Sequence, residues 1–135
     1  MGDINRFRAD LDREKNGTWI VDRESGISLK IASIDHNPQF QEALRTAVDA
    51  RKMLFETKEL NEEQHLDAFR EAVAKAILLD WKDMTENGEP VLYSWEKALA
   101  WFRDPEMWRL PEFVVQEARR ESNFRKELVR DAIKN

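Results

Sequence analysis

Ala74-Lys75-Ala76-Ile77-Leu78-Leu79-Asp80-Trp81-Lys82-Asp83-Met84-Thr85-Glu86-Asn87-Gly88-Glu89-Pro90-Val91-Leu92-Tyr93-Ser94-Trp95 joins the apolar end of one helix to a tight turn and then to the start of another. Upstream, Leu66, Phe69, Val73, Ala76 and Ile77 recur at three- and four-residue steps and share one helix face. Leu78, Leu79 and Trp81 extend that apolar surface around the end of a helix predicted over 61–81. Asp80 falls between Phe69 and Val73 on the same face, where an unpaired carboxylate is costly. Its expected partner is a backbone N–H of the following loop or of the next helix start, which would give charge-assisted hydrogen bonds. Asn87-Gly88 supplies the positive φ of a turn, Pro90 forbids helix, and Ser94 is a natural N-cap for a helix opening at Trp95-Glu96. Asp80, Trp81, Tyr93 and Ser94 are therefore expected to form a structural joint.

Two chemical readings of this joint fail on ligand count. Asp83, Thr85, Asn87 and Gly88 match the first positions of a calcium-binding loop, but Ser94 stands where a bidentate Glu is required and Pro90 where an apolar β-type residue belongs. A catalytic Asp80 would need a second acid–base group held nearby, and none is signalled.

The 135 residues are 41% hydrophobic and 36% charged, suited to one domain able to bury a core. A net charge of −5 disfavours nucleic acid as a partner. There is no cysteine, which removes disulfides, thiolate metal sites and thiol nucleophiles. The opening Met1-Gly2-Asp3-Ile4-Asn5-Arg6 lacks a signal-peptide pattern, and Arg6 replaces the Ser or Thr that myristoylation needs. No apolar run is long enough to span a membrane, so a cytoplasmic location and no membrane partner are expected.

Around the joint, residues 1–16 read as an arm or short amphipathic helix and residues 17–135 as one unit that is mainly α with a small N-terminal β-hairpin. Thr18 to Asp22 is β-branched and aromatic, and Ile27, Leu29 and Ile31 alternate with polar or small residues, which predicts a hairpin over about 18–34 that must pack on helices or on another copy of itself. Asn37-Pro38 opens a helix over about 38–57 with Phe40, Ala43, Leu44, Ala47, Val48, Leu54 and Phe55 on its apolar face. Asn61 with Gln64 resembles a capping box for the next helix, antiparallel to the first. Ser94 opens a helix over 94–103, and Pro111 opens one over 111–133, expected to be the longest. In that last helix Phe113, Val114, Ala118, Phe124, Leu128 and Ala132 form a stripe diluted by Glu117, Glu121 and Arg125.

Chemistry is sparse. Four scattered glycines exclude a phosphate-cradling loop. Glu62 and His65 make one Glu-x-x-His, half of what a di-iron site requires, so no metal and no cofactor are expected. No serine triad or paired carboxylates are signalled, and the protein is read as non-catalytic. Aromatic side chains stand out: Trp81, Trp95, Trp101 and Trp108 lie close together in the chain. Trp95, Ala98, Leu99 and Phe102 share one helix face, and Trp101 points roughly 110° away from it. Trp101, Met107, Trp108, Phe113, Phe124 and Leu128 are the candidate partner contacts, with closure of a small core as the competing account of the tryptophans.

Gly17-Thr18-Trp19, Ser28-Leu29-Lys30-Ile31-Ala32, Asn37-Pro38-Gln39-Phe40, Leu78-Leu79-Asp80-Trp81, Asn87-Gly88, Tyr93-Ser94, and Ala118 with Asn123-Phe124-Arg125 occur in an order that resembles the tail assembly chaperones of long-tailed bacteriophages and prophages. The resemblance covers residues 17–135 and departs at Met84 and Glu86. It implies a small, mainly helical, non-enzymatic protein that binds the aggregation-prone tape-measure protein and keeps it soluble until tail-tube subunits polymerise. It further implies absence from the finished virion and, in many members, a second form extended by ribosomal frameshifting. The tail-tube protein, that extended form and a second copy of the chain are further expected partners. A structural tail or virion component is the first alternative, and a small regulatory binding protein such as an antitoxin the second.

Overall fold

The computed structural model describes residues 1–127. Its elements begin where the sequence supplies caps. Asn37 accepts a hydrogen bond from the Phe40 N–H at 3.1 Å and Pro38 occupies the first turn of α2 (Pro38–Leu54), where a missing N–H costs nothing. The Asn61 side chain accepts from the Gln64 N–H while the Gln64 side chain accepts from the Asn61 N–H, a complete capping box that opens α3 (Glu62–Ala76). Ser94 Oγ accepts from the Lys97 N–H at 3.1 Å and opens α4 (Trp95–Arg103).

The helix predicted over 61–81 stops at Ala76. Residues Leu78–Lys82 are a strand, β3, paired antiparallel with β2 (Ser28–Ile31), which in turn pairs with β1 (Thr18–Val21). The expected hairpin is therefore two strands of a three-stranded sheet in the order β1-β2-β3, and the third strand solves the packing problem that a lone hairpin poses. Tertiary pairing overrides the helical pattern here: Leu78 and Trp81 are buried from a strand, opposite Ile31 and Leu29. Asp80 stands across from Lys30, off any helix face, and its carboxylate accepts from the Trp81 N–H at 2.8 Å rather than from the loop or the next helix. The pairing shifts between Lys30 and Ile31, whose partners are Asp80 and Leu78, so Leu79 is the extra residue of a β-bulge.

Asn87 (φ 53°) and Gly88 (φ 83°) turn a two-stranded ribbon of β4 (Thr85–Glu86) and β5 (Glu89–Pro90), with both central residues left-handed as a type I′ turn requires. The indole N–H of Trp81 donates to the Val91 carbonyl at 2.8 Å and the Tyr93 hydroxyl donates to that of Leu78 at 2.6 Å. Trp81 and Tyr93 thus tie β3 to the segment before α4, with strand in place of helix on the upstream side and Asp80 outside that tie.

Helices α2 and α3 form the expected antiparallel pair, but α2 ends at Leu54. Leu54, Phe55 and Leu66, expected on the inner face, are exposed; of the other expected residues Phe40, Ala47 and Val73 are buried, Ala68 and Ala72 join them, and the Phe40 and Phe69 rings meet edge to face at 5.8 Å. At its flank Arg51 bonds Asp67 (2.8 Å) and Glu71 (3.1 Å), and Arg103 of α4 grips Asp67 with two hydrogen bonds of 2.8 and 2.9 Å.

The helix predicted over 111–133 is divided. It starts two residues earlier as α5 (Arg109–Arg119), with Pro111 in its first turn, and gives way at the extended Arg120 to a single turn, α6 (Glu121–Phe124). Among the described residues the longest helix is α2, not the last one. Carrying α5 onward would project its charged interruptions into the space that Val114 and Ala118 fill; the chain instead breaks, and the Asn123 amide caps the Glu117 carbonyl at 2.9 Å. Leu128 and the remainder of the predicted helix lie outside the described residues.

The N-terminal arm is a 3₁₀ turn (Ile4–Phe7) followed by α1 (Leu11–Asn16), which Asp10 caps through the Arg13 N–H. It is stitched to the far end of the chain: the Asp10 N–H donates to the Phe124 carbonyl (2.7 Å) and the Lys126 N–H to the Arg8 carbonyl (2.9 Å) around an Ala9–Arg125 bridge. No helix among the described residues is long and apolar enough to cross a membrane.

Candidate functional site

The six candidate contacts have different fates. Trp101 is 6% exposed, its ring 5.3 Å from that of Trp81, so it widens the inward face of α4 and closes the core. Phe124 is 4% exposed, packed near the N-terminal arm on another part of the molecule. Leu128 is outside the described residues. Met107 and Phe113 are half-buried, and Trp108 is 55% exposed with the Arg109 guanidinium 5.5 Å over its ring.

Three of them, Trp101, Met107 and Phe113, come together along one open groove of about 470 Å³. Its floor is the buried Leu29 of β2, Met84 and Trp101. One wall is the turn between β1 and β2, with Asp22, Glu24, Ser25 and Ile27; the other is the start of α5, with Met107, Arg109, Leu110 and Phe113. Thr85 and Glu86 of the β4–β5 ribbon complete it. Each part has a local cause. The Asp22 carboxylate accepts from the Ser25 N–H and hydroxyl and so fixes the turn, and the Asp104 side chain, by accepting from the Glu106 N–H at 3.0 Å, starts the 3₁₀ turn that delivers Met107.

Ile27, Leu29, Met84 and Leu110 are lining residues that a search for aromatic clusters passes over. The alternation of Ile27 and Leu29 marks an inward strand face, but which helix that face meets is a tertiary fact. Met84 and Glu86, the two departures from the phage pattern, both line the groove.

The groove's polar edge is chiefly acidic. Glu86 receives Lys97 Nζ at 3.2 Å and the Trp101 indole N–H at 3.3 Å, and these two bonds, Lys97 first, hold its carboxyl below the ordinary range. Two methionines give the apolar lining adjustable shape. The arrangement can accept an apolar helix stripe or an extended apolar segment. Among the described residues no group of three or more His, Asp or Glu side chains is gathered closely enough to hold a metal ion.

A larger hollow of about 610 Å³ lies over α2 and α3, but its centre is the Arg51, Asp67, Glu71 and Arg103 ion cluster, whose charges satisfy one another. That hollow is structural in character.

No curated protein and no solved structure matches the chain. Residues 35–135, from the approach to α2 onward, match the family model described as YdaY prophage protein. The chain, its groove drawn largely from within that matched span, belongs to the YdaY prophage protein family.

Proposed function

We propose that this prophage protein is a tail assembly chaperone, which binds the tape-measure protein and keeps it soluble until tail-tube subunits polymerise around it. The observation that carries the reading is the open apolar groove between the β1–β2 turn and α5, whose lining suits the apolar stripe of a helix. The ordered resemblance of residues 17–135 to such chaperones and membership of a prophage family support it. On this reading the protein works by binding alone, in the cytoplasm of the bacterial host, without cofactor or metal, and is left out of the finished particle. Its further partners are the tail-tube protein, a frameshifted form of itself and a second copy of the chain.

Co-expression with the large tape-measure protein of the same prophage, followed by affinity capture and light scattering on a sizing column, tests it. The expected result is a soluble complex that does not form when this chain is omitted. An insoluble client with nothing captured, or recovery of this protein from purified virions, would replace the chaperone reading with that of a structural tail component.

A further inference from the structure

Resting on the chaperone reading, we propose that the groove is selective: it takes amphipathic helices whose apolar stripe is flanked by lysine or arginine. The apolar part of the site, Leu29, Met84, Leu110 and Phe113, sets the requirement for a stripe. The charge on its edge sets the flanks. Asp22 and Glu24 project from one turn on one wall, and Glu86 adds a third carboxylate, against Arg109 alone on the other side; Arg23, between the first two, does not line the groove.

These carboxylates are not equivalent. Glu86 is already shared by Lys97 and Trp101. Asp22 is engaged with Ser25, which holds it in place yet leaves its charge without a cation, and among the described residues neither Asp22 nor Glu24 belongs to an ion pair. Two uncompensated negative charges beside an apolar trough attract a cationic flank and repel an anionic one. Within the groove the same charges work against a phosphate backbone, and against a segment of a second copy of this chain, whose net charge is −5, so self-association would use another face.

The probes are two synthetic helical peptides of about 18 residues, roughly the reach of five turns. They share one leucine and alanine stripe and differ only in lysine or glutamate flanks. Fluorescence anisotropy at low salt should show the lysine peptide bound about tenfold more tightly, with the gap narrowing near ~0.5 M salt. Glu24→Lys changes an exposed turn residue and keeps the Asp22–Ser25 bonds that fix the turn, so it should narrow that preference; adding Asp22→Lys, at a half-buried position, should erase or invert it, while Leu110→Asp should weaken both peptides in a chain that circular dichroism shows to be folded. Equal binding of the two peptides, or a preference untouched in the lysine variant, overturns the proposal. So does failure of both peptides to bind; capture of the tape-measure protein is read separately, and decides whether the chaperone reading falls with it.

Discussion

The hydroxyl of Tyr93 donates to the carbonyl of Leu78 at 2.6 Å, tying the segment before α4 to the first residue of β3, with the Ala74 carbonyl 3.3 Å away as a second acceptor. This one contact bridges the place where α3 becomes strand. Tyr93→Phe removes the donor and leaves the carbonyls beneath it short of a partner, so the midpoint of urea unfolding should fall by an amount equivalent to about 1–2 kcal/mol.

Tyr93 is the chain's only tyrosine, so phenolate absorbance reports it alone. Burial first, then the charges of Asp80 and Glu96, push its pKa up to about 12 from 10.0. The unfolded chain therefore loses this proton first. The stability linked to the group is whole below pH ~10 and declines as the pH rises toward about 12. Ultraviolet titration should give a midpoint near about 12 for the folded chain and near 10 in urea.

Asp67 has the opposite sign. Hydrogen bonds from Arg103 first, opposed by burial and joined by Arg51, bring its carboxyl down to about 2 from 3.8. Its contribution is present above the unfolded value and is lost as pH falls from 3.8 through about 2. Asp67→Asn should cost ~1–2 kcal/mol at neutral pH, and thermal melts of the variant should lose part of the acid-side decline.

Trp101 separates core from interface. Replacing it with alanine empties space against Trp81 and should cost about 3–5 kcal/mol, a fall of roughly 10–20 °C in Tm by calorimetry. A small change in Tm accompanied by loss of client capture would instead make it a surface contact.

Gly17 and Gly88 share a left-handed backbone, with φ of 86° and 83°, but not a setting. A Cβ at Gly17 would meet Leu79, Lys30 and the Ile31 carbonyl carbon at 3.2 to 3.3 Å, whereas one at Gly88 meets nothing within 4 Å. Gly17→Ala should therefore destabilise by ~2–3 kcal/mol and Gly88→Ala by only ~1 kcal/mol in denaturant titrations.

Helix starts were legible in the sequence because they are written locally: Asn37-Pro38, Asn61 with Gln64, and Ser94 each act within three residues. Strand β3 was not. Its apolar residues continue the helical spacing of α3, and only pairing with β2, nearly fifty residues earlier, decides against helix. Asp80 was the available signal, since a carboxylate on an apolar helix face contradicts that helix, and as a strand residue it stands beside Lys30. The charged interruptions of the last stripe were a signal of the same kind, but the stripe reads as one helix over 111–133, which the structure divides at Arg120. Of the groove, Trp101, Met107 and Phe113 were within reach as an aromatic and methionine cluster. Ile27 and Leu110 belong to distant segments, and nothing in either stretch says that the two face one hollow.

The stitch between the arm and residues 124–126 has a consequence in time. Arg13 and Glu127, beside it, are 114 residues apart in the chain, so closing this loop carries the entropy of almost the whole polypeptide and adds only two backbone bonds in return. Among the contacts of the described residues it should be slow to form and the first to open. In hydrogen exchange the amides of Asp10 and Lys126 should trade their protons through a local event far below the global unfolding energy, while Ile31, Ile77 and Val114 wait for the molecule to come apart.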